Sequence, residues 1–297
     1  MDLDQLRTFA AIAQLKSFSQ AAGSLHRSQP AISRRIELLE RELGLPLFAR
    51  VRGSVVLTEG GAELLPFAEI ALAAVKDGTE AVHALHKGLA GRLSLALVGT
   101  LANATLTRIL RDFRRRFPKV QLDLQTANSR DVSELVRRGE ATLGLRYMTD
   151  RAPGLESRTV LRESLLVVSH ARHRLADGRR HRPAELAGER WVAFSARRAR
   201  ESFAQFLDRK LLAAGLADVE IVPIDSLTAQ KRLVEAGFGI ALLAESGIEE
   251  ELRLGTLKVL DIPALKASIP VAVVWRRNGY LSAAARGLLA VIGAEAA

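Results

Sequence analysis

The chain has 297 residues, which is long for one compact domain and favours two or three folding units. It contains no cysteine, so disulfides, thiolate metal sites and thiol redox sensors are excluded. The formal net charge of +10 is a poor guide to function, because residues 1–90 contain ten Lys/Arg and ten Asp/Glu and the basic excess lies in residues 91–297.

The sequence gives no sign of a membrane segment or a secretion signal. No apolar run approaches the roughly 18 residues that a membrane helix needs. The N-terminal residues Met1-Asp2-Leu3-Asp4 lack the basic flank and the apolar stretch of a signal peptide. We therefore expect a cytoplasmic protein with no membrane partner.

Residues 17–48 predict two short helices joined by a tight turn, after a first helix with a helical apolar period. Ser17 is predicted to cap the second helix and Ser28 the third, with the turn at His26-Arg27. Pro30 falls in the first turn of the third helix, where a missing N–H costs little, and Gly44 ends that helix. This arrangement is typical of a helix-turn-helix that places its last helix in the major groove of DNA.

The charge around this motif supports DNA binding, since Lys16 to Arg52 contain seven basic and three acidic residues. Gln29 can pair with adenine, and arginines suit phosphates or guanine. The side chains predicted to bind DNA are Ser17, Arg27, Ser28, Gln29, Pro30, Ala31, Ser33, Arg34, Arg35, Arg50 and Arg52. The alternative is a solvated basic face on an ordinary helical bundle, and capping is the alternative role of Ser17.

A small hairpin and a long helix are predicted next. Two short apolar runs flank Arg50 to Ser54, which indicates a wing, and Thr58 is predicted to cap the long helix. Apolar residues then recur by sevens, as in helices that pair with a copy of themselves. The predicted dimerisation residues are Leu65, Ala68, Leu72, Val75, Val82 and Leu89. The alternative is a helix packed on its own domain.

From Arg92 the pattern changes to alternating strands and helices, which predicts a parallel α/β domain. A second cluster with the same alternation runs from about Glu163 to Lys266, and one more strand and helix end the chain. Residues 171–182 are predicted to form a solvated surface loop.

No catalytic constellation is found. The six histidines have no metal-ligand spacing, no serine lies in a nucleophile elbow, and Gly237-Phe238-Gly239 lacks the flanks of a dinucleotide loop. We therefore expect no enzyme activity, no cofactor and no metal.

The sequence resembles the LysR-type transcriptional regulators. The resemblance is dense in residues 1–66, in FAAIAQLKSFSQAAGSLHRSQPAISRRIELLERELGLPLFAR and in LTEGG followed by LLP, and it is architectural beyond residue 90. It implies a multidomain α+β chain with a winged helix-turn-helix, a linker helix and a two-lobe effector domain like the type 2 periplasmic binding proteins. The implied boundaries are residues 1–58 for the DNA-binding domain, 59–90 for the linker and dimerisation helix, 91–162 plus 268–297 for lobe I, and 163–267 for lobe II.

An effector site is expected where loops follow the carboxyl ends of strands, at helix N-termini. The candidate residues are Gly99, Thr100, Leu101, Asn128, Ser129, Phe194, Ser195, Ser202, Phe203, Asp225 and Ser226. The resemblance places ligand contacts at Thr100, at Asn128 or Ser129, and at Ser202-Phe203. A plain helix cap is the alternative for each polar residue. The 33 basic against 23 acidic residues of 91–297 favour an anionic ligand.

Together these observations predict a sequence-specific DNA-binding transcriptional regulator controlled by a small molecule bound between two α/β lobes. A homodimer or homotetramer is expected, with double-stranded DNA, the effector and RNA polymerase as partners. A solute-binding protein with an unrelated N-terminal bundle, and an enzyme that uses the α/β half, are the alternatives.

Overall fold

The computed structural model describes residues 1–51, 53–87, 91–194 and 202–294. Three predicted site residues, Arg52, Leu89 and Ser195, lie outside these ranges. The chain divides into two compact units. The first comprises Met1–His86, Arg137–Glu140 and Asn278–Tyr280, and the second comprises Lys87–Val136, Ala141–Arg277 and Leu281–Ala297. No helix among the described residues is long and apolar enough to cross a membrane.

The described residues of the first unit form four helices and a hairpin. Its elements are α1 (Leu3–Leu15), α2 (Phe18–Ser24), α3 (Gln29–Leu43), β1 (Phe48–Val51), β2 (Ser54–Leu57) and α4 (Glu59–Lys87). The helices pack around a core in which Phe9, Ile12, Ile32, Leu39 and Leu47 are fully buried. The predicted helix-turn-helix and wing are therefore present.

Local signals account for the helix ends in this unit. Asp2 and Gln5 form a reciprocal capping box at α1, and the Ser17 hydroxyl accepts the Gln20 N–H at α2. Helix α3 ends at Gly44, whose φ of 75° lies in the left-handed region that favours glycine. Ser28 precedes α3 as expected, but its side chain makes no capping hydrogen bond.

The wing is attached to α3 and α4 by polar contacts. A Glu40 carboxylate oxygen accepts the Leu47 N–H at 2.7 Å, and the Thr58 hydroxyl donates to the Pro46 carbonyl at 2.6 Å. Thr58 also accepts the Gly61 N–H at 3.1 Å, which caps α4 as predicted. A Cβ on Gly61 would lie 2.2 Å from the Leu47 carbonyl oxygen, so this close approach requires glycine.

Helix α4 buries part of the seam that the heptad pattern predicts. Ala68 is only 1% exposed, and Leu65 and Leu72 pack against the same core as α1 to α3. The prediction that these three residues face a second copy is therefore wrong for Ala68, because its own domain covers it. Phe67 and Ile70 are exposed on a different side of α4, whereas Val75 and Val82, two of the predicted dimerisation residues, are exposed on the same face as Ala68 further along the helix.

The second unit is built on one large sheet with helices packed on it. Its strands are β3 (Gly91–Val98), β4 (Val120–Ala127), β5 (Leu143–Tyr147), β6 (Leu155–His170), β7 (Trp191–Phe194), β8 (Ile221–Ile224), β9 (Ala241–Ala244), β10 (Leu257–Val259) and β11 (Ala267–Arg276). Its α-helices are α5 (Ala104–Arg116), α6 (Ser129–Arg137), α7 (Ser202–Ala213), α8 (Leu227–Glu235), α9 (Glu249–Leu254) and α10 (Ala283–Ala294).

The sheet is mixed, not wholly parallel as the alternation of elements predicted. The strand order is β10-β6-β11-β5-β3-β4, with β9 also paired to β6, while β7 and β8 form a separate parallel pair. Strands β3, β4 and β5 are parallel, whereas β11 is antiparallel to both β5 and β6. Strand β6 pairs with β11 over its first part and with β9 and β10 over its last part. The predicted boundaries between the two lobes, at residues 162/163 and 267/268, fall within β6 and at the start of β11.

Residues 171–182 are exposed at most positions, as predicted for a surface loop, but Leu175 and His181 are buried. His181 is buried, and its ring nitrogens lie 2.8 Å from an Asp177 carboxylate oxygen and 3.1 Å from a Glu185 carboxylate oxygen. Hydrogen bonds to Glu185 and Asp177 raise the pKa of His181 above its ordinary value. The prediction of a fully solvated segment is therefore wrong at His181.

Candidate DNA-binding and effector sites

The N-terminal end of α3 is a continuous exposed surface. Residues 26–31 are all exposed, and Arg34 one turn later is exposed too. The opposite face of α3 is held by Ile32 and Ile36, which are at most 2% exposed. The burial of one face thus fixes which side chains α3 presents outward, and these include Gln29, Pro30 and Ala31.

Gln29 is positioned by the preceding helix. Ser19 Oγ donates to Gln29 Oε1 at 3.0 Å. The bond leaves both N–H groups of the Gln29 amide and one lone pair of Oε1 for other partners. An amide with this capacity can form the paired donor and acceptor contacts that adenine presents in the major groove.

The predicted cationic contacts divide into exposed and paired groups. Arg27, Arg34 and Arg50 are exposed. Arg35 is half-buried, with its guanidinium 3.8 Å from the Asp4 carboxylate of α1. Arg35 therefore has a partner within the domain that Arg34 lacks among the ion pairs described. Ser33 is half-buried beside the exposed face, whereas Ser28 is exposed.

Two of the predicted effector loops leave the same edge of the large sheet. Strands β3 and β4 run parallel with Val98 opposite Ala127. The turn Gly99–Leu101 and the pair Asn128-Ser129 therefore begin side by side. Asn128 Oδ1 accepts the Asp131 N–H at 2.8 Å, which is the capping role that was the alternative for this residue.

The other predicted loops leave the β7–β8 pair. Phe194 lies opposite Ile224 at the end of that pair, so Asp225-Ser226 begins beside Phe194. The Ser226 hydroxyl faces the Ala229 N–H at 3.5 Å at the start of α8. Ser202 and Phe203 open α7.

Thr100 contacts a tyrosine that sequence reasoning did not select. Thr100 Oγ1 donates to Tyr147 Oη at 2.9 Å. Burial raises the pKa of Tyr147 well above its ordinary value, against the opposing effect of the Thr100 hydrogen bond, and Tyr147 stays a neutral hydroxyl. A neutral phenol and a threonine hydroxyl can both donate and accept hydrogen bonds.

A second missed group joins segments that are distant in sequence. The Asn103 amide donates to Ser246 Oγ at 2.8 Å and to a Glu163 carboxylate oxygen at 3.3 Å. Ser246 Oγ in turn donates to the other Glu163 oxygen at 2.6 Å. We call Asn103, Glu163 and Ser246 the polar triad. It connects the start of α5 with β6 and with the turn after β9.

The polar triad links the predicted effector loops that follow β3 and β4 with those that follow β7 and β8. A Cβ on Gly247, next to Ser246, would lie 3.4 Å from Leu227, which follows Ser226. Lys231 of α8 also donates to the Gly247 carbonyl at 3.1 Å. The Thr100 loop and the Ser226 loop are therefore linked through residues 245–247. No local sequence signal marked this group, because its three members come from segments that are distant in sequence.

Among the described residues, no group of three or more His, Cys, Asp or Glu side chains could hold a metal ion.

Comparisons with known proteins cover almost the whole chain. Residues 3–62 match the family model of a bacterial regulatory helix-turn-helix protein of the lysR family, and residues 86–297 match the LysR substrate binding domain. The HTH-type transcriptional regulator YwbI of Bacillus subtilis is 32% identical over 97% of this chain and 95% of its own length. The HTH-type transcriptional regulator CbbR of Rhodospirillum rubrum is 31% identical over 99% of this chain and 96% of its own.

The fold matches solved structures over the same length. The structure of full-length CbnR in complex with its target DNA covers 100% of both chains with a TM-score of 0.66 and 24% sequence identity. This likeness shows that the order of helix-turn-helix, long helix and α/β domain is shared.

Proposed function

The chain belongs to the LysR family of DNA-binding transcriptional regulators, with an N-terminal helix-turn-helix domain and a C-terminal effector-binding domain, and from this premise we propose which residues perform each task. The observation that carries the DNA-binding proposal is the exposed surface at the start of α3, outlined above by residues 26–31 and Arg34.

We propose that Gln29 reads a base and that Arg27, Arg34 and Arg50 bind phosphates. Gln29 is supported by its exposure and by the Ser19 hydrogen bond that orients it. Phosphate contacts supply affinity and register but little sequence information. The Asp4 partner of Arg35 makes that residue the weaker phosphate ligand, because binding would compete with an existing ion pair.

The function is tested by selecting a binding site from random DNA with the full-length protein. Fluorescence anisotropy then compares the selected duplex with a scrambled duplex of the same composition at the same salt concentration. We expect affinity for the selected duplex to be greater by about 10³-fold or more. Affinities for the two duplexes that agree within a factor of two would contradict sequence-specific binding.

We propose that a small-molecule effector binds at the ends of strands β3, β4 and β8, against Thr100, Asn128-Ser129 and Asp225-Ser226. The support is the shared origin of these loops at two strand edges and their link through residues 245–247. Helix N-termini at Ser129 and Leu227 favour an anionic group, since free N–H groups point out of each helix end.

Thr100→Val tests this site, because it keeps the shape and removes the hydroxyl. Thermal-shift screening of the full-length protein against carboxylates, amino acids and aromatic acids first identifies a stabilising ligand. We expect Thr100→Val to lower the affinity for that ligand by about ten-fold, which is the effect of losing one hydrogen bond to a charged group. The affinity for DNA should be unchanged. Unaltered ligand affinity in Thr100→Val would remove Thr100 from the site.

We further propose that the protein acts as a homodimer or homotetramer through the exposed face of α4. One helix-turn-helix contacts only a few base pairs, and two-fold pairs read half-sites about one helical turn apart. Phe67 is 68% exposed and Ile70 is 53% exposed, which is costly for large apolar side chains unless a partner covers them.

We infer that the effector is bound and not converted, in line with relatives that are transcriptional regulators. The polar side chains described at the loops cap helices or bond to one another, and none forms a nucleophile and base pair. Contact with RNA polymerase stays a prediction, and we propose a cytoplasmic location, where the protein can reach double-stranded DNA.

A further inference from the structure

We propose that Asn278-Gly279 is a site of spontaneous covalent modification, at which Asn278 loses ammonia and becomes aspartate or isoaspartate. The dipeptide follows β11 and lies in the stretch Asn278–Tyr280, which belongs to the first unit. The reaction needs only water as a co-reactant, and the proposal does not depend on the DNA-binding residues or on the effector site.

The reaction begins at the main-chain nitrogen of Gly279. This nitrogen attacks the side-chain carbonyl carbon of Asn278, a C–N bond forms, and the amide nitrogen leaves as ammonia with the proton that the Gly279 nitrogen gives up. The product is a cyclic imide. Water then adds to one of the two imide carbonyl carbons and breaks its bond to nitrogen. Opening at the side-chain carbonyl gives aspartate, and opening at the main-chain carbonyl gives isoaspartate.

The surroundings of Asn278 leave this attack unhindered. Glycine has no Cβ that could block the approach of its own nitrogen to the preceding side chain. Asn278 is exposed in a turn, and Gly279 is half-buried. Within the described ranges, no hydrogen bond engages the Asn278 side chain or the Gly279 N–H. Both reacting groups are therefore available to each other.

The other two asparagines of the chain are held in place. Asn103 Oδ1 accepts the Leu106 N–H at 3.1 Å, and its amide donates to Ser246 Oγ at 2.8 Å. Asn128 Oδ1 accepts the Asp131 N–H at 2.8 Å. A carbonyl that caps a helix is held away from the next main-chain nitrogen, and the residues that follow these two asparagines are alanine and serine. They serve as internal controls within the same molecule.

Two Asp-Gly pairs could form the same imide, but they do not confuse the measurement. They are Asp77-Gly78, inside α4, and Asp177-Gly178. An ionised carboxylate is a poor target for a nitrogen nucleophile, and the Asp177 carboxylate accepts the Arg179 N–H at 2.9 Å. Isomerisation of aspartate leaves the mass unchanged, so a gain in mass reports asparagine alone.

The modification would act on a contact of α4. The Tyr280 N–H donates to Asp77 Oδ2 at 3.0 Å. Conversion of Asn278 places a negative charge two residues before this N–H, and like charges repel. Isoaspartate also adds one carbon atom to the main chain between Asn278 and Gly279. Both products therefore weaken the bond between Tyr280 and Asp77.

Peptide mapping by mass spectrometry tests the site on full-length protein incubated in mildly alkaline buffer, where a main-chain nitrogen gives up its proton more readily. Trypsin places the three asparagines in separate peptides, which are 93–108, 120–130 and 278–286. We expect peptide 278–286 to gain the mass difference between an NH₂ and an OH group at least about ten-fold faster than the other two. No gain in this peptide, or equal rates in all three, would overturn the proposal. Aspartate without isoaspartate among the products would contradict the imide route.

Gly279→Ala tests the role of the missing side chain. Gly279 does not adopt a positive φ, so its backbone accommodates alanine, and we expect the rate of mass gain to fall by at least about ten-fold. Gly23→Ala is the control, because its Cβ meets nothing within 4 Å in α2, and it should keep the wild-type rate. A wild-type rate in Gly279→Ala would contradict attack by the Gly279 nitrogen.

Asn278→Asp tests the consequence for α4 without waiting for the reaction. Hydrogen–deuterium exchange is measured on peptides that contain Tyr280, and Asn278→Gln is the neutral control. We expect the Tyr280 amide to exchange about ten-fold faster in Asn278→Asp than in wild type, with Asn278→Gln unchanged. Equal exchange in wild type and Asn278→Asp would contradict the effect of the new charge on the contact with Asp77.

Discussion

Gly61 shows how a single missing side chain allows the wing to join the long helix. The residue is buried in the first turn of α4, and its backbone N–H is bound by Thr58. An added Cβ would meet the Leu47 carbonyl oxygen at 2.2 Å and a Leu57 methyl group at 2.9 Å. Because the Leu47 carbonyl oxygen belongs to the backbone, this clash is relieved only if the main chain just before β1 moves.

Gly61→Ala is therefore expected to lower the free energy of unfolding by about 1–3 kcal/mol, the usual cost of overpacking. Urea denaturation followed by circular dichroism at 222 nm measures this change. Gly23→Ala is the matched control, since a Cβ on this α2 glycine meets nothing within 4 Å and alanine favours helix. Equal stability of the two variants would mean that the Gly61 contact is relieved at no cost.

The contacts of His181 with Asp177 and Glu185 show that the local sequence pattern does not predict the burial of a single residue. A segment with many arginines predicts solvent exposure, yet His181 is buried between two carboxylates. The raised pKa of His181 stabilises this segment at pH values below 6.5, and this contribution is lost as pH rises through the raised value. The lowered pKa values of Glu185 and Asp177 keep the partners charged until the pH falls through those values.

At the scale of elements, helix α4 presents two different apolar faces. A heptad pattern marks positions that recur on a helix but not which face the domain itself covers. Ala68 belongs to the domain core, while Phe67 and Ile70 are exposed. The sequence therefore predicted that α4 has an apolar seam, and only the packing of α1 to α3 determined which residues are left for a second copy.

Phe67→Glu tests the exposed face as a dimer interface. A charge placed in an apolar contact is costly to bury, so we expect the variant to sediment as a monomer at micromolar concentration, where wild type is a dimer or tetramer. Leu254→Glu is the control, because Leu254 is 62% exposed on α9 and should keep the wild-type mass. An unchanged mass for Phe67→Glu in analytical ultracentrifugation would contradict this face as the interface.

At the scale of the whole molecule, the sequence predicted the order of parts well and the long-range contacts poorly. Caps such as Ser17, Thr58 and Gly44 are local signals, so the N-terminal helices and wing are confirmed. The second predicted cluster began at about Glu163, so it left out the first half of β6, where apolar and charged residues are mixed. The mixed sheet depends on the pairing of β6 with β11, a strand more than 100 residues away.

The same reason explains which candidate residues the sequence could mark. Thr100, Asn128 and Ser226 follow strands and open turns or helices, which a sequence pattern reveals. Asn103 and Ser246 are 143 residues apart, and nothing local predicts that they share Glu163. Side chains that meet across the fold become visible only once strand order and register are known.

The most direct test of the central claim is the effect of Gln29→Ala on DNA recognition by the full-length protein. Anisotropy titrations with the selected duplex and the scrambled duplex, at one salt concentration, give the specificity ratio. We predict that Gln29→Ala lowers affinity for the selected duplex by about 1–3 kcal/mol and leaves affinity for the scrambled duplex unchanged, because only base contacts distinguish the two. An equal loss on both duplexes, or no loss on either, would contradict sequence reading by the exposed end of α3.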